Sequence, residues 1–442
     1  MAGTPELVQS NGIFHGLPVY PDDASHQNLT AIVTGATGIS GYHMLKVLCA
    51  APERWSKIYT LSRRPPPDYF YKELGEGASR IEHVEADFLA GPETLAKTIQ
   101  AVVKKVDHVF FFSYMQPAMK GGVLGMWSEA DELARVNGEL IANFLGALKL
   151  ANLVPNRFLL QTGAKHYGFH IGPATNPSFE SDPRVLLENN FYYPQEDSLA
   201  KFCSETGAQW NVVRPSYIIG AVRDNFLNHM VGIGVYAAVQ AKLGRPVQFP
   251  GDYIAWDREF CQSTAIMNAY LEEWAVLNPK AGNEAFNAQD GLPFTWGRLW
   301  PYLGKWYGTS WTPPEDDPAK YKVVESRWKE TPRGYGPKGE TRISFSLHEW
   351  SEDPEVQKAW KELSEEHGLL VDHFKDAARR AQVFAMSDSS IIGGWALSLS
   401  MRKARKMGFH GSVDSYESMF DTLRDLAKLK VVPPLAVAEY VE

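Results

Sequence analysis

The sequence predicts a doubly wound α/β fold built on a parallel sheet. Short apolar, β-branched runs alternate with amphipathic stretches through the first half of the chain, as repeated βα units do. The first such run, residues 30–34, leads into glycines spaced G-x-x-G-x-x-G at Gly35, Gly38 and Gly41. A helix-forming stretch follows those glycines directly. Strand, Gly-rich turn and helix N-terminus are thus contiguous, the setting in which a turn holds a phosphate.

Each element follows in order. Residues 30–34 are the first strand and 42–50 the first helix, with Leu45, Val47 and Leu48 facing inward. Residues 57–61 and 81–85 are the second and third strands. Residues 92–105 form a helix with Pro92 at its start, and 106–112 the fourth strand. A long helix over 133–150 precedes the fifth strand, 158–161, and the sixth is 211–214. After Arg214-Pro215 the alternation stops and the chain turns more helical and richer in tryptophan. The expected organisation is an N-terminal leader (1–28), a nucleotide-binding unit of Rossmann type (29–220), and a mainly helical substrate region (221–442) interleaved with it.

Composition narrows the partners. The 442 residues exceed one ordinary domain, and 44% hydrophobic with 22% charged residues is globular. A net charge of −8 supplies no basic face for nucleic acid or anionic lipid. Cys49, Cys203 and Cys261 are scattered, giving neither a disulfide framework nor a metal cluster. No secretory pattern opens the chain, and no run approaches the ~18 apolar residues of a membrane span. A cytoplasmic chain with no metal, membrane or nucleic-acid partner is expected, with a homodimer left open. The 13 tryptophans fit either an apolar pocket or a Trp-rich core.

The turn Thr34-Gly35-Ala36-Thr37-Gly38-Ile39-Ser40-Gly41 is the nucleotide candidate. Glycines allow a tight turn and close approach of a pyrophosphate to the helix N-terminus. About twenty residues on, NAD-binding units place an acidic side chain on the ribose. This chain has Ser62-Arg63-Arg64 there. Two guanidinium groups suit a 2′-phosphate, so NADP(H) is the expected cofactor. Asp87 and Phe88 after the third strand are placed for the adenine edge, and Ser113 for the ribose or nicotinamide.

A Tyr-x-x-x-Lys pair, the usual catalytic pair of short-chain dehydrogenases, occurs as Tyr42-His-Met-Leu-Lys46. It lies on the helix after the glycine turn, on the wrong side of the cofactor, and is rejected. Weight falls instead on Gln161-Thr-Gly-Ala-Lys165-His166-Tyr167 and Asn190-Phe191-Tyr192-Tyr193-Pro-Gln-Glu196-Asp197. Together these segments resemble the signature motifs of the progesterone 5β-reductase/iridoid synthase (PRISE) family, divergent extended short-chain dehydrogenases. The likeness extends through Arg214-Pro215, Asn283-Glu-Ala-Phe-Asn287 with Trp296, and the ending Met407-Gly-Phe409 to Val431-Val-Pro. It is nearer to fungal members than to the plant enzymes.

The resemblance implies Tyr192 as catalytic tyrosine and Lys165 as its lysine. It implies cofactor contacts at Thr37, Gly38, Ile39, Arg63, Arg64, Asp87, Phe88, Ser113, Gln161 and Ile218, beside Gly35, Gly41, Ser62 and Tyr192 itself. At Asn225-Phe226-Leu227, where the family meets the diphosphate again, the residue types differ. The implied activity is reduction of an activated C=C bond in a small hydrophobic carbonyl compound of specialised metabolism, with reductive cyclisation where the product keeps a second electrophile. Lys165 is expected to draw down the Tyr192 pKa. His166, Tyr167 and Tyr193 are expected to pack, Glu196 and Asp197 to charge the first turn of a helix, and Trp296, Trp300 and Trp306 to be core. Carbonyl reduction, cofactor-recycling or non-redox isomerisation, and NADP sensing are the alternatives.

Overall fold

The computed structural model describes residues 7–117, 129–225, 227–326 and 328–441. At its centre lies a seven-stranded sheet whose pairings are all parallel. The strands are β1 (Leu29–Thr34), β2 (Trp55–Ser62), β3 (Ile81–Glu85), β4 (His108–Phe111), β5 (Arg157–Gln161), β6 (Gln209–Pro215) and β7 (Glu284–Ala288). Their order across the sheet is β7-β6-β5-β4-β1-β2-β3. Winding therefore reverses between β1 and β4, the switch point at which such sheets bind ligands.

All six residues of β1 are buried, as in a strand covered on both faces. Its side chains alternate: Ala31 and Val33 join one core, Ile32 the other. The first face is covered by α1 (Ile39–Cys49) and by Ala265–Leu277, which pack on each other. The second carries α2 (Pro92–Val102), α3 (Ala130–Leu150) and α4 (Tyr192–Thr206). A third core surrounds the helix His229–Lys242 and holds Trp296, Trp300, Trp306 and Trp360. Trp296, Trp300 and Trp306 are thus core, as expected, and none of the described tryptophans lines the cavity below.

Two features differ from expectation. α1 starts at Ile39, not 42, because Gly41 inside its first turn masks the helical signal. A Cβ there would stand 2.6 Å from Ala36 Cα, so only glycine lets the helix start against its own loop. The seventh strand was not expected at all, and it brings the chain beyond 221 back into the central sheet. Ahead of β1, Val8–Asn11 and Phe14–Pro18 form an antiparallel hairpin that inserts Leu17 into the α1-side core.

Candidate active site

The glycine turn and the carboxyl ends of β1, β4, β5 and β6 open on one cavity of about 850 Å³, a volume that fits a small-molecule site. Every candidate residue from the sequence lines it, from Gly35, Thr37, Gly38, Ile39 and Gly41 at one end to Lys165 and Tyr192 at the other.

At the glycine end the shape is set by backbone. Gly35 has φ +62°, and a Cβ on it would stand 2.8 Å from the Phe112 carbonyl. Thr34 Oγ1 accepts the N–H groups of Phe112 and Ser113 at 3.1 and 3.2 Å, drawing the end of β4 beside the turn. Gln161 Nε2 donates to Ser40 Oγ at 2.8 Å and ties in β5. Gly38 caps α1 without a side-chain bond, leaving free N–H groups and the positive end of the dipole toward the cavity. Arg63 and Arg64 stand exposed at the rim, without an ion pair among the described residues. Ser62 Oγ donates to the Arg64 carbonyl at 2.7 Å and shapes that turn. Cradle, open helix end and paired guanidinium groups fit a dinucleotide phosphate backbone.

Other candidates on this side contribute unequally. Asp87 is exposed and accepts the Leu89 N–H at 3.0 Å. The Phe88 ring is turned into the core, 5.1 Å from that of Phe144 and 6.1 Å from that of Phe111. Little of this side chain remains for an adenine, because the apolar face of α3 claims it. Ile218 sits on a short strand, Tyr217–Ile219, paired with Gln262–Thr264. Asn225 and Leu227 line the cavity, while Phe226 lies outside the described residues.

At the other end the site is made of side chains held by cross-ties. After β5 the chain forms a short turn, Ala164–Tyr167, that buries Lys165. Buried Asn190 donates to the Lys165 carbonyl at 2.9 Å and accepts the Tyr192 N–H at 3.1 Å. One side chain thereby sets the turn against the start of α4. Gly163 completes the fit: a Cβ there would meet the Tyr192 hydroxyl at 2.8 Å. Tyr192 is half-buried, and its hydroxyl bonds to none of the described residues. Lys165 Nζ lies 4.7 Å from the Phe191 ring centroid and 5.6 Å from that of Tyr192.

The electrostatics correct the expected roles. Burial brings the Lys165 ammonium down to about 7, against the opposing pull of Glu188. Burial also pushes the Tyr192 phenol well up, with Tyr114 and Glu196 adding to it. Lys165 therefore does not draw the phenol down; the burial that would strengthen its effect weakens its charge instead. Tyr192 is a neutral hydroxyl at pH 7.

Glu196 is likewise not a first-turn charge. It lies a full turn into α4 and meets Arg214 at 3.1 Å, with His166 and Arg184 each at 3.4 Å. Burial alone would raise its carboxyl, yet His166 and Arg214 hold it below the usual range. Asp197 pairs with Arg184 at 2.7 Å. Tyr193 donates to the His166 carbonyl at 2.7 Å, and Tyr167 donates to Asn287 of β7 at 2.5 Å. These buried links anchor both segments to the sheet. Asn190, Gly163 and Arg214 had no reading of their own in the sequence, since each acts through a partner remote in the chain.

This constellation on this sheet defines a short-chain dehydrogenase/reductase of the Rossmann class. The chain belongs to the PRISE-like Rossmann-fold domain family, which it matches over residues 31–329. It is 31% identical to the short chain dehydrogenase gsfE of Penicillium aethiopicum, covering 91% of this chain and 99% of that one. It is 28% identical to the (S)-8-oxocitronellyl enol synthase CYC2 of Camptotheca acuminata, over 93% of this chain and 95% of that protein. It is 27% identical to the 3-oxo-Delta(4,5)-steroid 5-beta-reductase of Arabidopsis thaliana, over 91% and 93%. Among solved structures, the dTDP-glucose 4,6-dehydratase DesIV of Streptomyces venezuelae, with NAD and TYD bound, matches with a TM-score of 0.54 at 13% identity over 90% of this chain and 97% of that one. That likeness shows the fold. No helix among the described residues is long and apolar enough to cross a membrane.

Proposed function

We propose that the chain is an NADPH-dependent reductase of an activated C=C bond in a small hydrophobic carbonyl compound. The observation that carries this reading is the neutral Tyr192 hydroxyl, without a hydrogen-bond partner among the described residues and facing a cavity continuous with the glycine turn. When bound, NADPH would supply a hydride to the β-carbon of an enone or enal. Negative charge then gathers on the carbonyl oxygen, and the Tyr192 O–H donates a hydrogen bond to that oxygen. A donor held in place in a dry site is worth about 10²–10³ in rate, and a neutral phenol fulfils that role where a phenolate would repel the charge. Gly163 and Asn190 fix where the hydroxyl points. Phe169, Phe191, Tyr217 and Met386 give the cavity an apolar wall that suits a hydrophobic substrate. The 27–31% identical relatives named above include a reductase and an enol synthase, which supports this reading.

Incubation with NADPH and a panel of enals, enones, quinones and simple ketones tests the proposal. The expected result is NADPH consumption with a saturated carbonyl product. An alcohol as sole product would make the chain a carbonyl reductase. Product formed without consumption would make it an isomerase or cyclase.

A further inference from the structure

Arg223 is not accounted for by the cofactor contacts above, although it lines the cavity. Its neighbour Val222 is buried against Ile39, Tyr42 and Phe70, at the first turn of α1 and the short helix Asp68–Leu74. That contact carries the chain beyond 221 across to the N-terminus of α1. There the Arg223 N–H bonds the Tyr69 hydroxyl at 3.1 Å, and its guanidinium carbon lies 4.1 Å from the Tyr69 ring centroid. Tyr69 itself is wedged edge-on against Phe70 at 4.7 Å and Tyr42 at 6.4 Å. Stacking fixes the plane of the guanidinium and leaves its edges able to donate.

The charge of Arg223 has no acidic counterpart among the described residues. It makes no ion pair among the described residues, and its Nε is buried without a partner. The adjacent acid, Asp224, is exposed and turned to Arg379 at 3.4 Å. The first turn of α1 holds Ile39, Ser40 and Gly41 and brings no cation of its own. Arg63 and Arg64 belong to the end of β2, beyond the turn. A diphosphate on the α1 N-terminus would thus meet backbone N–H groups and no fixed positive side chain except one.

We infer that Arg223, perched on Tyr69, is the cation that binds the dinucleotide diphosphate, closing the region beyond 221 over the glycine turn. The inference rests on the cavity being a dinucleotide site. It assigns the two arginine sites different work: Arg63 and Arg64 distinguish NADPH from NADH, while Arg223 serves the part common to both.

Binding of NADPH and of NADH to the full chain, each followed by quenching of tryptophan fluorescence without substrate, separates them. Arg223→Gln should weaken both nucleotides by the same factor, about 10- to 100-fold, as expected for one charge-assisted hydrogen bond. Arg223→Lys should recover part of the loss. Tyr69→Phe keeps the ring, removes the hydroxyl that holds the Arg223 backbone, and should weaken both about 2- to 5-fold. It also covers the case in which Arg223→Gln does not fold. Unchanged affinities in these variants, or a loss confined to NADPH, would overturn the inference. A native chain that binds neither nucleotide would overturn the dinucleotide reading itself.

Discussion

At the glycine end of the cavity, what a ligand meets is mostly backbone: a turn that tolerates no Cβ at Gly35 or Gly41, and the open end of α1. At the tyrosine end it meets side chains, and these are held by ties across the fold. Tyr192 is aimed by Gly163 and Asn190, while Glu196 in α4 is anchored to Arg214 of β6. The first end is stiff because its shape is steric. The second is tunable, since a single side chain can alter charge or reach there without disturbing the sheet.

Substitutions at the two ends should have different consequences. The largest effect is expected at the tyrosine end: Tyr192→Phe keeps the ring, leaves cofactor affinity and melting temperature nearly unchanged, and lowers kcat about 10²–10³-fold. A matching loss in nucleotide affinity would show that the two ends are not separable. At the glycine end, Arg63→Ala and Arg64→Ala should each weaken NADPH about 10- to 100-fold while NADH changes little. Equal binding of both nucleotides by the native chain would contradict the 2′-phosphate role.

A smaller, pH-dependent effect should come from Lys165. Its folded pKa of about 7 lies below the ordinary 10.5, so between those values the unfolded chain binds more protons and stability rises with pH. Lys165→Met removes that penalty. It should melt no lower than the native chain, and any advantage should shrink as pH rises from 7 toward 10.5. The smallest effect is expected of Tyr42→Phe. Tyr42 is fully buried, stacked 3.9 Å from Phe70 and bonded to Glu73, so turnover should stay within about twofold, with at most about 1 kcal/mol of stability lost.

The same contrast explains what the sequence made legible. The glycine end announced itself because strand, turn and helix are consecutive, and six of the seven strands read as apolar runs. β7 did not. Its Asn287 is fully buried yet polar, taking the Tyr167 hydroxyl and giving its amide to the Ser178 carbonyl at 3.0 Å, so the strand lacks an apolar pattern. Tyr192 and Lys165 were found through motif resemblance, and their protonation states were not, because burial is a property of the folded cavity. The ring of Phe88 could not be assigned a side from sequence, since core and cavity lie on opposite faces of the same turn. Arg223 had no motif to mark it; its place depends on Val222 reaching α1 across the molecule.

The atom that receives the hydride decides between C=C and carbonyl reduction. NADPH deuterated at both C4 positions of the nicotinamide, incubated with an enone and the native chain, decides this by NMR of the product. One deuterium at the former β-carbon, a saturated ketone, and far slower transfer by Tyr192→Phe are expected. Deuterium on the carbonyl carbon, or product with none, would contradict C=C reduction.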